Sequence, residues 1–218
     1  VSPGISEDVI VEGYRGAPLQ LVLRADDDVG RTALVLPGRV TRQGRRGGSP
    51  SRPDLAYTAA TLELERFAVL EVWWDVDTAP VDDIEGWLLA SASAGVEAAA
   101  TGGRRLELVV GRSLGTRALA LLSARGLLGD LATVWLAPLV HYPEVREALL
   151  AHASSAFVVG GSEDAAFDLE TAELLAAQGA EVEVIEGGDH GFQLEDPAAS
   201  ARALAGVLDR LRLFARRV

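Results

Sequence analysis

The chain has 218 residues, 49% of them hydrophobic and 24% charged, with a formal net charge of -12. This is a globular balance rather than a disordered one, and the length suits a single domain, residues 1–218, with a substantial core. The acidity argues against nucleic acid as a partner, because a phosphate backbone needs a basic face to release its counterions. Cysteine is absent, which excludes disulfides, thiolate metal sites and cysteine nucleophiles. Lysine, asparagine and methionine are absent too, so every basic side chain is arginine and no lysine is available as a Schiff base or general base. No charged stretch leads into an apolar one at the start, and no apolar run is long enough to span a membrane. The expectation is a cytoplasmic protein with no membrane partner.

In chain order, residues 9–26 read as two short strands around a turn containing Gly16 and Pro18. "TALVLPG" (32–38) is a compact apolar strand closed by Pro and Gly. A loop rich in Gly, Arg and Ser follows. From Pro53 the apolar spacing is helical, 67–75 is a strand, and 80–100 is a long helix with acids in its first turn. Strands at 105–111, 131–138, 155–161 and 180–188 then alternate with helices at 116–126, 143–153, 167–179 and 197–216. In the last strand Glu alternates with Val or Ile, which predicts one wet face and a place near a sheet edge. Such alternation after an opening hairpin means a mainly parallel sheet covered on both faces.

"VVGRSLGT" (109–116) sets Ser113 between two glycines where a strand meets a helix. A sharp strand-to-helix turn strains the serine backbone and lifts its hydroxyl above the sheet; side chains at Gly111 or Gly115 would collide there. A serine hydroxyl needs a base to take its proton. Of the three histidines, His190 in the glycine-rich "EGGDHGF" follows the last strand and is preferred. His141 also follows a strand, while His152 falls in a helix. The base in turn needs a carboxylate to fix its tautomer. "GGSEDAAFD" offers Glu163, Asp164 and Asp168, of which Asp164 is best placed; helix capping is the competing task for it.

With "LPGR" after the third strand, "GRSLG" at the turn, "GGSEDAAFD" at the acid and "GGDHGF" at the histidine, the chain resembles a small, lidless α/β-hydrolase of the dienelactone hydrolase-like group. The resemblance implies the α/β-hydrolase fold: a mostly parallel eight-stranded sheet, its first two strands antiparallel, with helices on both faces. It also implies Ser113, Asp164 and His190 as a catalytic triad. Pro138 and Pro143 are too close in sequence to admit an inserted cap domain.

An oxyanion hole is expected from the N–H of Leu114 and from Arg39, with Val40 as the alternative second donor. Arg39 is followed by Arg42, Arg45, Arg46 and Arg52 in a loop without an acid. This reads either as a rim that attracts an anionic substrate or as a solvated connector. Trp74, ending the strand at 67–75, either walls the substrate pocket or packs in the core. The function read from these residues is a serine hydrolase, carboxylesterase-like, that cleaves a small ester through an acyl-enzyme, with no metal and no organic cofactor. A peptidase or thioesterase on the same machinery, and a non-catalytic binding protein on the same fold, are the alternatives.

Overall fold

The computed structural model of the chain describes residues 5–25, 29–39, 53–101 and 103–218. Eight strands form one sheet: β1 (Ile5–Glu12), β2 (Pro18–Ala25), β3 (Arg31–Leu36), β4 (Ala68–Trp73), β5 (Arg105–Arg112), β6 (Ala132–Leu136), β7 (Ala156–Gly161) and β8 (Glu181–Ile185). Their spatial order is β1-β2-β4-β3-β5-β6-β7-β8. β2 runs antiparallel to both β1 and β4, and every other pair is parallel. The chain therefore moves outward from β3 to β4 and then returns past β3 to β5. That reversal opens a crevice at the carboxyl ends of β3 and β5, where open α/β sheets bind their ligands.

Among the described residues six α-helices cover the sheet: α1 (Pro53–Leu64), α2 (Ile84–Ala99), α3 (Leu114–Ala124), α4 (Pro143–Ala151), α5 (Leu169–Ala177) and α6 (Pro197–Ala215). Alternation along the central strands divides the core in two. Leu34, Leu36 and Val109 pack with Trp87, Leu119, Leu149 and Leu175 of α2 to α5. Ala33, Val35, Leu108 and Val110 pack with Leu55 and Leu62 of α1 and with Leu211 and Phe214 of α6. Each fully buried Leu, Val or Phe side chain contributes about 1.5–3 kcal/mol of burial, so these two layers supply the main stabilising term.

Three details depart from the sequence reading. Pro18 opens β2 instead of lying in the turn, a position where its missing N–H breaks no ladder bond. The helix expected from residue 80 begins at Ile84, because Asp83 caps it by accepting from the Gly86 N–H at 3.1 Å. The Tyr14 hydroxyl donates to the same carboxylate at 2.6 Å and ties the turn after β1 to α2. Finally, the glutamates of the edge strand β8 do not simply face water. Glu183 pairs with Arg210 of α6 at 3.2 Å, and Glu181 pairs with Arg217 beyond that helix.

Candidate active site

Between β5 and α3 the chain reverses at Ser113, whose backbone lies at φ 50°, ψ -113°. A non-glycine residue held there costs about 1–3 kcal/mol and persists only where the surroundings enforce it. Here the enforcement is steric and local. A Cβ at Gly115 would lie 2.2 Å from the Leu36 carbonyl oxygen, and one at Gly111 would lie 2.5 Å from Leu119 and 2.8 Å from the Gly115 carbonyl. Strand and helix can close on each other only through bare backbone. The Ser113 N–H donates to Leu136 of β6 at 2.9 Å, and its carbonyl accepts from the Thr116 N–H and hydroxyl at 2.8 and 2.6 Å.

The acid and the histidine come from the loops after β7 and β8, on the same sheet edge. At Gly161, where β7 ends, a Cβ would lie 2.1 Å from the Gly188 carbonyl, so the two loops pack backbone to backbone. The Glu163 N–H donates to that carbonyl at 3.0 Å. His190 sits in a turn braced by Asp189, whose Oδ1 accepts from the N–H groups of Gly191 and Gln193 at 2.7 and 2.8 Å.

These loops bring Ser113, His190 and Asp164 into one hydrogen-bonded chain. His190 Nε2 lies 2.8 Å from Ser113 Oγ, and His190 Nδ1 lies 2.7 Å from Asp164 Oδ2. The other oxygen of Asp164 accepts from the Ala166 N–H at 2.9 Å. Burial of Asp164 opposes its ionisation. The hydrogen bonds from His190 and Ala166, with the nearby charges of His190 and Arg112, outweigh that burial and hold the carboxyl below its ordinary range. An ionised Asp164 can only accept, so Nδ1 carries the proton and Nε2 is left free to accept from the serine.

The other candidates fall elsewhere. Glu163 is exposed, and Asp168 caps α5 by accepting from the Thr171 N–H at 2.6 Å. His141 is exposed and packs on the Tyr142 ring, with centroids 4.3 Å apart. His152 joins α4 to α3 through Ser123 Oγ at 2.9 Å, and burial lowers its pKa.

Beside Ser113 lies a cleft of about 390 Å³ lined by Arg39, Val76, Ala79, Pro80, Val81, Ile84, Leu114 and Leu139. Its walls are mostly apolar, and Arg39 is its one charged side chain among the described residues. The backbone N–H groups of Arg39 and Leu114 donate to no loop or turn carbonyl among the described residues. Val40, Arg42, Arg45 and Arg46 lie outside the described residues. Trp74 does not line this cleft: it is 3% exposed, packs tilted against Trp87 with ring centroids 5.6 Å apart, and donates from Nε1 to the Gly38 carbonyl at 3.0 Å. A larger depression of about 510 Å³ lies at the opposite end of the sheet, around Arg105, Ala132 and Glu181, and holds none of the three linked residues.

Two connections were missed in the sequence. The Trp74 bond to Gly38 spans 36 positions, and a buried ion pair joins Arg112 to Asp54 across 58. A charged residue inside the apolar run that ends β5 was the one available hint of the second. Among the described residues no group of three or more His, Cys, Asp or Glu side chains could hold a metal, and no helix is long and apolar enough to cross a membrane.

No protein-family model matches the sequence, and no curated protein does. Solved structures match over nearly the whole chain. A lidless α/β serine hydrolase from Xanthomonas campestris shares 19% identity over all of this chain and 96% of its own, with a TM-score of 0.69. The esterase domain of a Rhodothermus marinus protein shares 15% over 98% and 99% of the two chains, with a TM-score of 0.65. An α/β serine hydrolase homologue from Coxiella burnetii shares 16% over 97% and 96%, also at 0.65. At such identities the likeness is one of architecture, and together with the strand order and the short β6-to-α4 connection it leads to one conclusion. Among the described residues the chain has the α/β-hydrolase fold, with no lid between β6 and α4.

Proposed function

We propose that the protein is a serine hydrolase that cleaves small carboxylic esters through an acyl-enzyme on Ser113. The observation that carries this reading is the unbroken chain from Ser113 Oγ to His190 at 2.8 Å and from His190 to Asp164 at 2.7 Å, on a serine with strained backbone. The esterases and serine hydrolases among the structural neighbours add support.

In this reading Ser113 Oγ attacks the ester carbonyl carbon while His190 Nε2 takes its proton. Asp164, ionised, holds the ring and stabilises the imidazolium. The charge that develops on the carbonyl oxygen is met by the N–H groups of Leu114 and Arg39, each such donor contributing about 3–4 kcal/mol. Collapse of the tetrahedral intermediate breaks the bond to the alkoxy oxygen, and the alcohol leaves with the proton from His190. Water then repeats the sequence on the acyl-enzyme and releases the acid. The open, apolar cleft of about 390 Å³ suits a short acyl or alcohol group.

Steady-state hydrolysis of p-nitrophenyl acetate, butyrate and octanoate tests the reading. Turnover of the short esters, abolished in Ser113→Ala, is the expected result. Equal background rates for the folded wild type and Ser113→Ala would refute it.

A further inference from the structure

Arg112, the residue before Ser113, ends the central strand with a side chain only 4% exposed. A guanidinium out of water is costly unless its donors are met, and here they are met at functional positions. Nε donates at 2.6 Å to Oδ2 of Asp54, itself buried in the first turn of α1. Nη2 donates at 3.2 Å to the backbone carbonyl of His190. Nη1 lies against Gly38, where a Cβ would stand 3.0 Å from it. One planar group thus touches the start of α1, the backbone of the histidine and the residue preceding Arg39.

We propose that Arg112, held by Asp54, is a positioning residue for His190, an assignment that rests on the hydrolase reading above. The carbonyl of His190 fixes the plane of the peptide that follows it, and with Asp189 gripping Gly191 and Gln193 the turn is held from both sides. The imidazole then stays in register with Ser113 Oγ. Asp54 has a second part in this. An uncompensated cation beside His190 would oppose the imidazolium that forms during catalysis; the Asp54 carboxylate reduces that repulsion without abolishing the field of Arg112. The geometry requires two donors in a fixed fork, which arginine has and lysine lacks. The positive charge of Arg112 also favours the ionised form of Asp164.

The test compares the full-length wild type with Arg112→Lys and with the double variant Arg112→Gln/Asp54→Asn, which removes both charges together. Four quantities are read: kcat and KM for p-nitrophenyl acetate, the rate of fluorophosphonate labelling, and the far-downfield proton resonance of His190 Nδ1–H. A misplaced base costs turnover without weakening a cleft that Arg112 does not line. The expected result is therefore kcat lower by about ten- to a hundredfold in both variants, with KM within about twofold. The labelling rate falls in parallel, and the resonance shifts or broadens. Folded variants with wild-type kcat and an unmoved resonance overturn the assignment, leaving only a structural ion pair. Should the double variant not fold, Arg112→Lys, which keeps the buried charge, carries the same comparison. A wild type that neither turns over nor labels would sink the hydrolase reading instead, while the resonance still decides the positioning role.

Discussion

The Trp74 indole donates to the Gly38 carbonyl at 3.0 Å, and through that bond a core residue sets the direction of a backbone N–H at the cleft. The Gly38–Arg39 peptide is planar and trans, so its N–H points opposite to its carbonyl. With the carbonyl drawn towards the buried Trp74, the Arg39 N–H is turned away from the core. Trp74→Phe keeps most of the packing and deletes the donor. On the proposed mechanism kcat falls by about tenfold with KM little changed, a partial loss because Leu114 still serves the oxyanion. Steady-state kinetics on a neutral short ester, with a thermal melt as control, check this. An unchanged kcat would mean that the Arg39 N–H needs no such support.

Gly115 is the tightest point of the turn, because the atoms a Cβ would meet are the backbone of Leu36 and Pro37. Backbone cannot repack as a flexible side chain can. Gly115→Ala is expected to cost about 3 kcal/mol or more, a drop in Tm of roughly 6–12 °C for a chain of this size. Gly206→Ala in α6, where a Cβ meets nothing within 4 Å, should be neutral or raise Tm slightly. Differential scanning calorimetry of both variants makes the comparison; similar melts would contradict the steric account of the turn.

Glu65, just beyond α1, pairs with Arg216 at 2.9 Å and with Arg212, clamping the end of α6. Their hydrogen bonds and charges lower its pKa from 4.5 to about 2. The fold favours the carboxylate, so the stabilisation is complete above the unfolded-state value near 4.5 and is lost as pH falls to about 2. Both arginines are about half exposed, and solvent screening keeps the effect modest. Glu65→Gln should lower Tm by about 2 °C at pH 7, and the gap from wild type should close between pH 4.5 and 2. A gap that widened on acidification would have the wrong sign for this linkage.

Arg39 lines the cleft with an exposed guanidinium in a chain of net charge -12. On the proposed mechanism the oxyanion meets the Arg39 main chain, so its side chain is dispensable there. Arg39→Gln should leave neutral esters unaffected and reduce kcat/KM for an ester bearing a carboxylate by up to about fivefold at low salt, an effect of 1 kcal/mol or less that fades as ionic strength rises. Matched kinetics on a carboxylate-bearing ester and its neutral isostere measure it. Equal losses on both would place Arg39 in folding rather than in substrate choice.

Legibility of the sequence followed the range of the interactions. Strand and helix order was readable because alternation and helical spacing are local, and the Glu–Val alternation of β8 placed that strand near an edge, where it lies. The neighbourhood of Ser113, Asp164 and His190 was readable because each follows a strand of one parallel sheet, and the carboxyl ends of those strands share an edge. Side-chain direction within that neighbourhood was not readable. Trp74 offered no local sign of whether it faced cleft or core. Asp54 sits at a helix start, where an aspartate is ordinarily a cap, yet its carboxylate serves Arg112 across 58 positions of chain. The helix expected from residue 80 starts four residues later, at Ile84, because Asp83 caps it.

On the proposed mechanism Ser113 is a nucleophile activated by His190. Labelling of the native protein with a fluorophosphonate, followed by peptide mass spectrometry, tests it most directly. One adduct per chain is expected, on Ser113, absent in Ser113→Ala and slowed by at least a hundredfold in His190→Ala. Native wild-type protein without an adduct, or with its adduct on another residue, would contradict it.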